Sequence, residues 1–105
     1  MRVNYKISWA NGALSQLDEI YDYIAQYSQI VARKVTEGIE ETTKRLKKHP
    51  LIEQEEELLK DFGEHHRYLV YGNYKIIYLF DNKDIFIVAV FDTRSEPSSL
   101  ALKVV

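Results

Sequence analysis

Apolar residues recur along this chain with two different periods, and the switch between them divides it into a helical half and a strand half. Val3, Tyr5 and Ile7 alternate with polar residues, which predicts a short opening strand with those three on one face. Ser8-Trp9-Ala10-Asn11 then reads as a helix start, with Asn11 or Ser8 offering the oxygen that caps the first free amides. Leu14, Leu17, Ile20, Tyr21 and Ile24 follow three and four apart, the spacing of one buried helical stripe. Tyr27-Ser28-Gln29 breaks that stripe. Ser28 is placed to cap a second helix, whose own stripe is Ala32, Val35, Ile39, Thr42 or Thr43, and Leu46. Glu40–Lys44 and Glu41–Arg45 are acid-before-base pairs four apart, each worth about 0.2–0.5 kcal/mol on an exposed face. Pro50 stops the helix.

From Arg67 the period becomes that of strands. Arg67–Tyr71 meets Tyr74–Phe80 across Gly72-Asn73, a dipeptide suited to a two-residue hairpin turn. After the turn Asp81-Asn82-Lys83-Asp84, the run from Ile85 to Phe91 is apolar at both parities, which predicts a strand covered on both faces. Two segments stay open. Glu55–Phe62, inside the acidic stretch 51–64, reads either as a short helix with Leu58, Leu59 and Phe62 inward or as a solvated loop. Ser98–Val105 reads as a short C-terminal helix or as a tail. The sum is one α+β domain over residues 1–105 in the order β-α-α-β-β-β. Its sheet is expected to be antiparallel, with a helical hairpin on one face and the opening strand at an edge.

Composition narrows the classes. A length of 105 residues suits one domain, and 46% hydrophobic with 29% charged residues is an ordinary globular balance. With no cysteine there is neither a disulfide staple nor a thiolate metal site, which favours a reducing compartment. No apolar run approaches the roughly 18–20 residues of a membrane span, and residues 1–5 carry no signal-peptide pattern. The expectation is therefore a cytoplasmic protein with no membrane partner. The net charge of −2 conceals an asymmetry: residues 53–64 hold six acids against Lys60, leaving the rest of the chain at +3. A sequence pI near 5.9 lacks the overall basic field of a nucleic-acid binder.

Particular residues point further. Ser8-Trp9-Ala10, Ala13, Leu17, Ile20 and Tyr23-Ile24 resemble the opening signature of the RelE/ParE toxin superfamily. Ala32, Leu46 before Pro50, and Arg67 at the start of the meander are similar to it as well. So are Tyr74-Lys75-Ile76-Ile77-Tyr78 and Val90-Phe91-Asp92-Thr93-Arg94 with Pro97. The likeness runs from about residue 5 to residue 100. It implies the toxin of a type II toxin–antitoxin system, neutralised by a cognate antitoxin. Two activities occur on this fold: RelE-like members cut messenger RNA in the ribosome, and ParE-like (plasmid-stabilisation) members poison DNA gyrase and are not nucleases. Fold alone does not choose between them.

The candidate chemistry favours the ParE-like reading. In-line RNA cleavage needs a base, an acid and cations around the phosphate. The resemblance implies Arg67, Lys75 and Arg94 as the catalytic set if the chain is a nuclease, and Arg67 and Arg94 as target-binding residues if it is not. Each also has a structural reading. Arg67 can fork onto Asp92 or Asp81 and pin the meander, Arg94 is equally placed for either role, and Lys75 can be a solvated strand residue. Ribonuclease members often place a histidine or tyrosine near the end of the last strand, and here none follows Tyr78. The missing late residue and the acidic pI both speak against ribosomal RNA as target. His65 and His66 are adjacent, so on an extended chain they face opposite ways and make no joint metal site. The Lys44–Lys48 cluster reads first as a helix terminus that suits the dipole, and second as a grip for RNA or an acidic antitoxin tail. Tyr21, Tyr23 and Tyr27 read first as half-buried core. No cofactor or metal is expected. A gyrase-binding toxin is the main reading, with a ribosome-dependent endoribonuclease, or a decayed member that still binds antitoxin, as alternatives.

Overall fold

The computed structural model describes residues 5–47, 54–55, 66–81 and 83–94. Strand β1 (Lys6–Trp9) leads into helices α1 (Asn11–Ala25) and α2 (Gln29–Lys44), the second closed by a 3-10 turn at Arg45–Lys47. A two-residue strand β2 (Gln54–Glu55) precedes the meander of β3 (Arg67–Tyr71), β4 (Tyr74–Asp81) and β5 (Asp84–Asp92). The spatial order is β1-β5-β4-β3-β2, with α1 lying on β5 and α2 crossing β3 and β4.

The meander is antiparallel, and β1 does take an edge, but it runs parallel to β5, so the sheet is mixed. Parallel neighbours cannot be joined by a tight turn, and the helical hairpin is part of the long connection they require. Side-chain period carries no information on strand direction, which is why the sequence misses this. Glu55 falls in β2, opposite Arg67, rather than in a helix or loop. Leu58, Leu59 and Phe62, like residues 98–105, lie outside the described residues.

The helix pattern is mostly as predicted, with three corrections. Ala13 and Leu17 are buried on α1, while Leu14 is 45% exposed. The buried stripe runs through 13, 17, 20 and 24, which puts position 14 about 100° off it. Neither Asn11 nor Ser8 caps α1. The helix starts at Ala10, whose amide donates to the Ile87 carbonyl at 2.9 Å, so the sheet backbone fixes this end. Lys44 pairs with Glu41 at 2.8 Å, three residues away, instead of with Glu40; that hydrogen bond raises the lysine's pKa. Ser28 does cap α2, its hydroxyl accepting from the Val31 amide at 3.2 Å. On the buried stripe Thr36 and Thr43 return their hydroxyls to the carbonyls of Ala32 and Glu40, so no polar atom of theirs is wasted in the core.

Apolar residues fill both faces of the sheet. Ile39, Leu46, Leu69, Ile76, Tyr78, Ile85, Ile87 and Val90 pack with the helices, and Ile77, Ala89 and Phe91 form a second cluster. Alternation lets β5 serve both, and a bulge shifts its phase partway along. Ile77 pairs with Ala89 and Tyr78 with Ile87, leaving Val88 as the extra residue. The bulge reverses the strand's phase, so Ile85, Ile87 and Val90 face the helices while Ala89 and Phe91 do not.

Candidate functional site

The predicted arginine just after β5 sits in a well-defined polar arrangement. Gly72, at φ 57°, makes the turn between β3 and β4 with Asn73, and the Asn73 carbonyl accepts from the Thr93 amide at 2.7 Å. That bond ties the chain end of β5 to the hairpin. Directly afterwards the Arg94 amide donates to Asp92 Oδ1 at 2.9 Å. Its side chain forks onto the same carboxylate: Nε lies 2.9 Å from Oδ1 and 3.1 Å from Oδ2, and Nη2 bonds Oδ2. The hydrogen bonds from Arg94 hold the Asp92 carboxyl below its ordinary pKa, and the carboxylate raises that of Arg94. Asp92, one of the acids expected for Arg67, is therefore committed to Arg94.

Tyr74 stands in register with Asp92 on the neighbouring strand. Burial, and then the charge of Asp92, push its hydroxyl above the usual phenol value, against an opposing effect from Arg94. Helix α1 closes the third side. Gln16, Glu19, Ile20 and Tyr23 line a groove of about 290 Å³ together with Tyr74, Val90, Phe91, Asp92 and Arg94. Gln16 also seals the sheet. Its Oε1 accepts from the Val90 amide at 2.8 Å, on the stretch of β5 that β1 is too short to flank. Tyr23 (64% exposed) meets Tyr27 (77% exposed) edge-on at 6.0 Å, so these two tyrosines are surface and not half-buried core.

The three cations expected at a nuclease centre are not brought together. Arg67 faces Tyr78, four positions along β4 from Tyr74, which is roughly 13 Å of strand. By alternation Arg67 shares a face with Leu69, and Lys75 shares the opposite face with Ile77. The Lys75 ammonium sits 4.1 Å from the centre of the Tyr68 ring. His66 is only 5% exposed, and His65 lies outside the described residues. Among the described residues no group of three or more histidines, cysteines or carboxylates is arranged for a metal. Lys44 and Lys47 border a smaller groove of about 180 Å³ beside Ile7 and Trp9 of β1. Among the described residues no helix is long and apolar enough to cross a membrane.

Sequence reasoning named Arg94 but missed Gln16, Glu19 and the position of Tyr74. Gln16, Ile20 and Tyr23 recur four and three apart along one flank of the α1 stripe, a signal that was present but looks like solvated surface. Tyr74 corrects one inference. No tyrosine follows Tyr78 in the chain, yet one reaches the end of β5 in space, because strand pairing supplies it from β4.

Comparison with known proteins agrees with this architecture. A model of the ParE toxin of type II toxin–antitoxin systems, parDE, matches residues 7–97. Among solved structures, a chain of the chromosomal ParDE toxin–antitoxin system from P. aeruginosa superposes with a TM-score of 0.67 at 22% identity, covering 84% of this chain and 95% of that one. A search of curated proteins gave no match. With a family match over nearly the whole length, and the strand–helical hairpin–meander order carrying it, this chain belongs to the ParE toxin family of type II toxin–antitoxin systems.

Proposed function

We propose that this chain arrests growth by binding DNA gyrase, and that a cognate antitoxin holds it inactive by direct contact. Family membership supports the toxin role, and the scatter of Arg67, Lys75 and Arg94 carries the choice of binding over cleavage. In-line cleavage requires its cations and proton-transfer groups around one phosphate. A pair on opposite faces of a sheet does not meet that need, whereas separated arginines suit a broad protein contact. Arg94, exposed and fixed by Asp92, is the leading target-binding residue, with Arg67 as the second.

One observation favours the endoribonuclease alternative: Tyr74 stands beside Arg94, where such chemistry wants a proton-transfer group. The direction of its pKa argues the other way, since a phenol pushed above its usual value is a poorer base at neutral pH. The test is a gyrase supercoiling assay with the purified chain, run beside pulse-labelling of protein synthesis after induction. Lost supercoiling with labelling that persists is the expected result. Prompt collapse of labelling with supercoiling intact refutes gyrase as target, and absence of both effects points to a member that has lost toxicity. Replacing Arg67 and Arg94 together by alanine should abolish inhibition without unfolding the chain.

A further inference from the structure

We infer that the groove between α1 and the end of β5 receives a lysine or arginine side chain of the antitoxin, with Glu19 as its ion-pair partner. This rests on the toxin–antitoxin reading above and deepens it. The groove's walls are the aromatic residues Tyr23 and Tyr74 and the apolar residues Ile20 and Val90, and its charged groups are Glu19, Asp92 and Arg94. Arg94 and Asp92 neutralise one another through their fork. Glu19 is left as the uncompensated charge, since it has no ion-pair partner among the described residues.

An anion meets one free carboxylate and no free cation here, so a phosphate does not fit. A long cationic side chain does. Its aliphatic stem lies along Ile20 and Val90, its charged head pairs with Glu19, and tyrosine rings are the surfaces on which ammonium and guanidinium groups settle. Helix α1 extends the same preference: it carries Asp18, Glu19 and Asp22 and no basic residue. The exposed Tyr23–Tyr27 pair continues the surface beyond the groove, giving a segment of polypeptide more to cover than one side chain. Strand addition at this point is blocked, because Gln16 already holds the Val90 amide. The contact is therefore a side-chain insertion beside β5.

The experiment is a titration of the full chain against the product of the adjacent open reading frame, by calorimetry, for wild type, Glu19→Gln and Glu19→Arg. Thermal melts check that the exposed position leaves folding intact. Charge reversal should weaken binding on the order of 10- to 100-fold, and Glu19→Gln less. Reversing single lysines and arginines of the antitoxin to glutamate should reveal one position that restores affinity to Glu19→Arg. Affinity within twofold of wild type for Glu19→Arg overturns the inference, as does a loss that no antitoxin reversal repairs. If Glu19→Arg spares antitoxin binding but abolishes gyrase inhibition, the groove belongs to the target and the inference is wrong. Failure of the wild-type chain to bind the antitoxin at all defeats the reading on which this one stands, and so is told apart from failure of the groove alone.

Discussion

Replacing Gln16 by leucine should cost this fold about 1–3 kcal/mol, although the position sits on a helix flank far along the chain from what it stabilises. Strand β1 spans only Lys6–Trp9, so its pairing with β5 ends at Ile87. Beyond that point no strand among the described residues receives the Val90 amide, and Gln16 Oε1 accepts it at 2.8 Å. Leucine has similar bulk but no acceptor, so little cavity forms and the loss is that of a partly buried donor left unsatisfied, about 1–3 kcal/mol. In a domain of this size each kcal/mol shifts Tm by roughly 4–8 °C, so a fall of about 4–24 °C is expected. Gln16→Glu keeps an oxygen in place and should melt within a few degrees of wild type. Thermal melts followed by circular dichroism give the first readout. Hydrogen exchange at the Val90 amide gives the second, with roughly tenfold less protection for every 1.4 kcal/mol lost. A leucine variant that melts with wild type and leaves Val90 equally protected would refute the reasoning.

Three further outcomes follow from the geometry. A Cβ built on Gly38 would lie 2.2 Å from the ring tip of Tyr71, so Gly38→Ala should lose more to overpacking, about 1–3 kcal/mol, than the roughly 1 kcal/mol it gains in helix propensity. Repeating it in a Tyr71→Ala background should turn the loss into a gain, and an unchanged effect there would exclude the steric explanation. Ser28→Ala removes the cap on the Val31 amide and should cost on the order of 1 kcal/mol by denaturant melts, with Ser28→Asp close to wild type. The Asp92–Arg94 fork predicts a pH dependence. Because the folded pKa of Asp92 lies below its ordinary value of 3.8, the fork's contribution is complete above that pH and disappears as pH falls through the folded value. The Tm difference between wild type and Asp92→Asn should therefore hold steady from pH 7 to about 5 and shrink toward pH 3; a difference that persists there would contradict the assignment.

The helical hairpin, the Gly72-Asn73 turn and the doubly covered last strand are all legible in the sequence, because each depends on local period or on a turn residue. What was illegible depends on pairing between distant segments. Leu14 and Ala13 are adjacent candidates for one stripe, and only the position of the sheet decides that alanine goes inward. The parallel direction of β1 leaves no trace in an alternating pattern. The bulge at Val88 hides inside an unbroken apolar run, where any phase shift looks the same. At the candidate site Arg94 was visible as a polar residue after a strand, and Asp92 beside it. Its other members come from α1 and β4, and no spacing along the chain links Glu19 or Tyr74 to Arg94.

One mismatch of lengths connects stability to the site. Strand β5 runs for nine residues and β1 for four, so about half of β5 has no strand neighbour on that side among the described residues. A longer β1 would close the edge and leave no room for a groove. As built, α1 fills the gap with a flank that is polar at Gln16 and Glu19 and aromatic at Tyr23, where a core helix would place apolar residues. Gln16 satisfies the exposed edge, and in doing so fixes the distance at which Glu19 and Tyr23 stand from Tyr74 and Arg94. The groove thus lies where β1 stops short of flanking β5, and the hydrogen bond that satisfies Val90 there also ties α1 to the groove's floor. Substitutions at Gln16 should therefore disturb partner binding along with stability, whereas those at Glu19 should disturb binding alone.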